Sequence, residues 1–170
     1  NASNGGGYTL EALLGITPNG RSEPDYLGWE IKGHSSNRVT LMTPEPNGGF
    51  YGQRGVKEFV ERYGHDVSGG NMYFTGSHKV GEPCAATRLT LQVSGFDPAE
   101  PRLFDVSGAV RLVDCDGNEA AAWAFAHLLT HWNRKHAFAA YVRYTPQKSP
   151  LAYRYDTPVL MGEHTDFNRY

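Results

Sequence analysis

Pro24-Asp25-Tyr26-Leu27-Gly28-Trp29-Glu30-Ile31-Lys32 sets two carboxylates and an ammonium in order within an otherwise apolar stretch. Leu27 to Lys32 reads as a short strand whose apolar residues are Leu27, Trp29 and Ile31. Side chains alternate faces along a strand, so Glu30 and Lys32 point the same way, about 7 Å apart along the backbone. Asp25 precedes Glu30 by an odd offset, which a straight strand would turn to the opposite face. A bend or bulge is therefore required between them, and Gly28 has the backbone freedom to make it.

With that bend, the three groups converge into a cluster suited to phosphodiester hydrolysis. Hard oxygen ligands, here Asp25 and Glu30, hold Mg²⁺ through one or two carboxylates plus water and phosphate. The metal polarises the phosphoryl oxygen and acidifies its water. Lys32 orients that water and offsets charge developing on the phosphate. An isolated Glu-x-Lys is ordinarily a solvated strand edge. Here it is the only Asp/Glu-x-Lys of the chain, lies in an apolar strand and follows a Pro-Asp.

The flanking residues extend the pattern. Leu10-Glu11-Ala12-Leu13-Leu14-Gly15 precedes it and Val39-Thr40-Leu41-Met42-Thr43 follows. This ordered series over residues 5–65 closely resembles the MvaI/BcnI restriction endonuclease family, of the PD-(D/E)xK nuclease superfamily. It resembles more distantly the MutH mismatch-repair nicking enzyme. The resemblance implies a monomeric, Mg²⁺-dependent endonuclease acting on double-stranded DNA at a short specific site. It implies an α/β fold of the restriction-endonuclease-like class, a mixed twisted sheet flanked by helices. Asp25, Glu30 and Lys32 would form the catalytic core, with Asp25 and Glu30 on the metal. Glu11 would support them from the first helix. By itself, a first-turn Glu is ordinarily a partner of the helix dipole. Members of this family are typically longer than 170 residues. We expect residues 1–4 to be a foreign leader or linker, and residues 5–170 to be one domain, with two lobes allowed, excised from a larger protein.

Composition bounds the alternatives. The 170 residues carry 16 Lys and Arg against 18 Asp and Glu, a net charge of −2, which argues against indiscriminate nucleic-acid binding. A charged cleft and a bound cation are compatible with that balance. Twenty glycines announce many turns. No run approaches the roughly 20 apolar residues of a membrane span, and no secretory core is visible. Cys84 and Cys115 stand far apart and read as reduced thiols of a cytoplasmic protein. There is no phosphate-cradling Gly-x-x-x-x-Gly-Lys motif, which argues against an NTPase.

Along the chain, Asn4 to Gly7 reads as a flexible lead-in and Leu10 to Leu14 as a helix capped by Thr9. Leu27–Lys32 and Arg38–Thr43 suggest a hairpin turning at residues 33–37. Pro44 to Gly52 breaks the structure. Val56, Phe59, Val60 and Tyr63 recur at helical spacing, and Gly64 stops that helix. Strands are expected near Met72–Thr75, Arg88–Val93 and Gly108–Val113. Asp114-Cys115-Asp116-Gly117-Asn118 is an ordinary Asp-Gly turn, because an EF-hand would need its Gly at the sixth position and Glu at the twelfth. Glu119 to Lys135, rich in Ala, predicts the longest helix. His127 and His131 within it lack the context of a zinc site. Phe138 to Tyr144 predicts a strand that puts Tyr141 and Arg143 on one face.

Guanine in a duplex is read by bidentate Arg or Lys in the major groove. Arg143 and Arg154 are candidates, with His34 and Arg38 nearest the active centre. Two rival readings remain: a catalytically silent DNA-binding domain of a larger restriction or repair protein, and a protein-interaction domain whose motif is a surface strand.

Overall fold

Residues 5–17, 24–36, 39–100, 104–148 and 151–163 are described here from a computed structural model. In chain order its elements are α1 (Gly5–Leu13), β1 (Glu30–His34), α2 (Gly49–Tyr63), β2 (His65–Ser68), β3 (Asn71–Tyr73), β4 (Thr90–Phe96), β5 (Phe104–Val113), β6 (Glu119–Ala124), α3 (Phe125–Lys135), β7 (Phe138–Lys148), β8 (Leu151–Tyr155) and β9 (Leu160–Glu163). The fold is mixed α/β, as expected. Two compact units form: Asn1–Thr43 with Thr130–Tyr170, and Pro44–Leu129.

The first unit is built on β7. Its N-terminal half pairs in parallel with β1 and antiparallel with β9, and its C-terminal half pairs antiparallel with β8. The hairpin expected between 27–32 and 38–43 does not form. The strand's partner is the distant β7, residues 39–43 form no strand, and Arg38 lies outside the described residues. The strand also starts later than Leu27. Tyr26 and Trp29 exchange backbone hydrogen bonds of 2.9 and 2.8 Å around Leu27 (φ 48°) and Gly28 (φ 84°). Two successive positive φ values belong to a tight primed turn, which Gly28 tolerates freely and Leu27 at a cost. Leu27 is accordingly 84% exposed rather than part of an apolar strand.

Helix α1 also starts earlier than expected. Thr9 lies inside it, its hydroxyl donating to Gly5 O at 2.8 Å, so it is no cap. The glycines read as a lead-in instead form the first turn, because they let the helix backbone lie directly on the sheet. A Cβ at Gly6 would run into the Tyr144 ring, and one at Gly5 into the Tyr153 hydroxyl. A Cβ at Gly33 would stand 3.2 Å from Gly7 Cα. Tyr155 Oη donates to Gly6 O at 2.8 Å, tying that turn to β8. Elsewhere in the unit, Trp132 stacks on the buried His136 at 4.4 Å, and His136 Nε2 donates to Leu41 O at 2.6 Å.

In the second unit, β4, β5 and β6 form an antiparallel sheet. Phe59 and Tyr63 of α2 pack against Leu89, Leu112, Ala120 and Ala121. The helix expected over 56–63 extends back to Gly49, with a break at Gly55 (φ 80°, ψ 175°). The helix expected over 119–135 is a strand followed by a shorter helix. Ala favours helices in isolation, but Ala120 and Ala121 are fully buried. A Cβ on Gly48 would sit 3.1 Å from Ala122 Cβ, and one on Gly49 3.0 Å from Ala121 Cα. The alanines let the start of α2 approach β6 closely, and this tertiary gain outweighs local propensity. Residues 114–118 form the expected turn: Gly117 N–H donates to Asp114 O, and Asp114 Oδ1 accepts from Asp116 and Asn118 amides. Cys84 is buried, Cys115 is exposed, and both are free.

Candidate active site

The turn at Leu27-Gly28 reverses the chain so that Asp25 comes back alongside β1. Asp25 Oδ2 accepts the Ile31 N–H at 3.0 Å. Among the described residues β1 pairs only with β7, so its other edge carries open backbone amides, and Asp25 takes one. The odd offset of Asp25 from Glu30 is thus absorbed by the turn, as the bend at Gly28 requires.

Glu30 opens the strand and is only 1% exposed. Its Oε1 lies 2.6 Å from Lys32 Nζ. The two side chains leave the same face of β1, and the short distance marks a charge-assisted contact. Removing a carboxylate from water is costly unless a cation and hydrogen bonds replace the solvent. Lys32 supplies the cation while keeping part of its own surface in water.

An open cleft of about 410 Å³ runs beside this pair, lined by Tyr8, Glu11, Lys32, His34, Ser35 and Thr40 among others. Glu11 and Lys32 therefore border one space, although they come from a helix and a strand. Asp25 and Glu30 connect to it through Ile31 and Lys32, their direct partners. Tyr8, nearly one helical turn before Glu11 on the same helix face, was not singled out from the sequence. Its three-residue spacing from Glu11 was the available signal.

The DNA-contact candidates separate. His34 borders the cleft, its Nδ1 2.9 Å from Ser36 O. Arg143 stands opposite His34 in the parallel β1–β7 register. Arg154 lies on β8, and its Nε is 3.2 Å from Asp156 Oδ1, so its charge is already matched. Arg38 lies outside the described residues.

Among the described residues, no group of three or more His, Cys, Asp and Glu gathers as a metal cage. His127 instead contacts Glu45 O at 3.2 Å. Asp25 and Glu30, each bonded to a residue that lines the cleft, nonetheless fit Mg²⁺ by donor chemistry, since that ion takes one or two protein carboxylates and fills the rest with water and phosphate oxygens. Among the described residues, no helix is long and apolar enough to cross a membrane.

The profile of the MvaI/BcnI restriction endonuclease family matches residues 1–170. No curated protein matches the chain. The chain is similar to a solved structure of restriction endonuclease MvaI in complex with its cognate DNA substrate, with a TM-score of 0.72 and 17% identity. The match covers 95% of this chain and 65% of that one, so the chain spans about 65% of the length of that relative. At this identity the likeness bears on the fold, which is that of a restriction endonuclease.

Proposed function

The chain belongs to the MvaI/BcnI restriction endonuclease family, and from that premise we propose that it hydrolyses phosphodiester bonds of double-stranded DNA at a short specific site, with Mg²⁺ as cofactor. The observation that carries this reading is the buried Glu30 carboxylate held 2.6 Å from Lys32 Nζ, with Lys32 lining an open cleft and Asp25 bonded to the amide of the intervening Ile31.

Asp25 and Glu30 are the metal ligands in this proposal. The cation supplies Lewis-acid polarisation of the phosphoryl oxygens. Lys32 Nζ, steadied by Glu30 Oε1, donates to the attacking water and offsets negative charge as it grows on the phosphate. Ile31 N–H holds the Asp25 carboxylate in one orientation, which lowers the reorganisation needed at the reacting centre. Glu11 borders the same cleft and supports the centre from α1. His34 and Arg143 contact the DNA, with Arg38 and Arg154 as further candidates.

Incubation of supercoiled plasmid with protein and Mg²⁺ is expected to yield nicked or linear product. Asp25→Asn and Lys32→Ala are each expected to lower the rate by at least about 10²–10³-fold, the scale of removing one preorganised group from a charged transition state. Undiminished cleavage by both variants would sink the assignment. A second reading is a DNA-binding domain without turnover, favoured by the fact that the chain spans only 65% of the length of MvaI. A gel shift with no product under any divalent metal would support it.

A further inference from the structure

We propose, building on the endonuclease reading, that the face of β1 and β7 bearing Lys32, His34 and Arg143 is a track for one DNA backbone, on which Arg143 and His34 grip the phosphate next to the one served by Lys32.

The register carries this. In the parallel pairing Glu30 lies beside Ala139, Lys32 beside Tyr141 and His34 beside Arg143. Directly paired residues project to the same side of a sheet, with strands about 4.8 Å apart. Glu30, Lys32 and His34 therefore form a row, with Ala139, Tyr141 and Arg143 as a second row alongside. The opposite face is occupied, because Gly33 and Tyr144 pack there against the glycine turn of α1. On the other face Glu30 and Ala139 are buried, whereas Lys32 and His34 border the open cleft and Arg143 is exposed.

Lys32 and His34 are one two-residue step apart, about 7 Å, which is the scale of one nucleotide along an extended backbone. A phosphate at Lys32 thus brings its neighbour to His34 and Arg143. The His34 ring is already oriented by the contact of Nδ1 with Ser36 O at 2.9 Å. Arg143 is exposed, and among the described residues no carboxylate pairs with it. Arg154 contrasts with it: Asp156 takes its Nε through Oδ1 and the Thr145 hydroxyl through Oδ2. The forked guanidinium of Arg143 matches two oxygens of one phosphate.

A phosphate role differs measurably from base reading. Phosphate contacts add affinity on every sequence and steepen its salt dependence, whereas base contacts act on one sequence. The test is fluorescence anisotropy on several labelled duplexes of unrelated sequence, without divalent metal and over a range of KCl. Arg143→Gln is expected to weaken binding several-fold on every duplex and to reduce the slope of log affinity against log salt by about 1. Arg143→Lys should restore most of that slope, and His34→Ala should weaken binding less than Arg143→Gln. An unchanged slope in Arg143→Gln, or a loss confined to one sequence, overturns the track, and so does a wild-type protein that binds no duplex. Asp25→Asn separates this from the parent reading. If wild-type protein cuts nothing yet Arg143→Gln flattens the salt slope, the track stands and the hydrolase fails. If Asp25→Asn abolishes cleavage and Arg143→Gln leaves the slope intact, the hydrolase stands and the track fails.

Discussion

Strands β1 and β6 are both short and partly buried within their own units, yet they hide opposite kinds of side chain. In β6, Ala120 and Ala121 are fully buried and carry no charge. Their smallness lets the glycines at the start of α2 come within van der Waals reach. In β1, the buried residue is Glu30, whose carboxylate depends on a lysine two positions away. A packed apolar pair would stabilise that position at least as well. One strand is shaped by packing, and the other keeps a charge that folding does not need. In the proposed function that paired carboxylate is a cation ligand, and its partner Lys32 lines the cleft.

The largest expected effect follows from that contrast. Glu30→Gln keeps the shape and removes the charge, so cleavage should fall by about 10²–10³-fold or more while the melting temperature stays close to wild type. Ala121→Leu should do the reverse. Overpacking beneath Gly49 is expected to cost about 1–3 kcal/mol in urea denaturation, with cleavage per folded molecule retained. If Glu30→Gln unfolds as readily as Ala121→Leu, the distinction between the two strands is wrong.

The same contrast explains what was legible beforehand. The Asp25–Glu30–Lys32 series is local, so the need for a bend at Gly28 and the shared face of Glu30 and Lys32 followed from spacing alone. The parallel partner of β1 did not, because the pairing joins residues about a hundred positions apart and nothing local encodes the register. Arg38 to Thr43 resembles a strand, but among the described residues no strand pairs with residues 39–43. The alternating faces of 138–144 were readable, and this placed Tyr141 and Arg143 together. What remained hidden was that Arg143 would lie beside His34. Glu119 to Lys135 misled for the opposite reason: its alanines satisfy a helix locally and a close-packed sheet globally. Gly5 and Gly6 read as flexible until the tyrosines of β7 and β8 showed why nothing larger fits there.

A smaller effect isolates the close approach in the second unit. Gly49 and Gly55 both have positive φ, at 70° and 80°. A Cβ at Gly55 would meet nothing within 4 Å, whereas one at Gly49 would meet Ala121 and Glu119 backbone atoms at 3.0 Å. Gly55→Ala should therefore cost only backbone strain, about 1–3 kcal/mol. Gly49→Ala should cost more, because Ala121 backbone must also shift. Equal losses in parallel urea titrations would mean that α2 is not pressed against β6.

The smallest effect concerns acid stability and rests on a partly buried histidine of the second unit. His78 stacks on Phe74 at 5.6 Å, and its Nε2 lies 2.7 Å from Thr87 Oγ1. Burial pushes its pKa below the ordinary 6.5, so the folded protein holds the ring neutral. As pH falls through about 6.5, the unfolded chain binds the proton first, and stability declines until the folded form also protonates. Asp105 and Asp114 act in a lower window. Hydrogen bonds from Ser107 to Asp105, and from Asn118 to Asp114, hold these carboxylates below 3.8, so their contribution is lost only as pH falls below that value. Melting curves taken from about pH 7.5 down to about pH 5 should fall less steeply for His78→Gln than for wild type. Identical slopes would show that His78 is solvated in the folded protein.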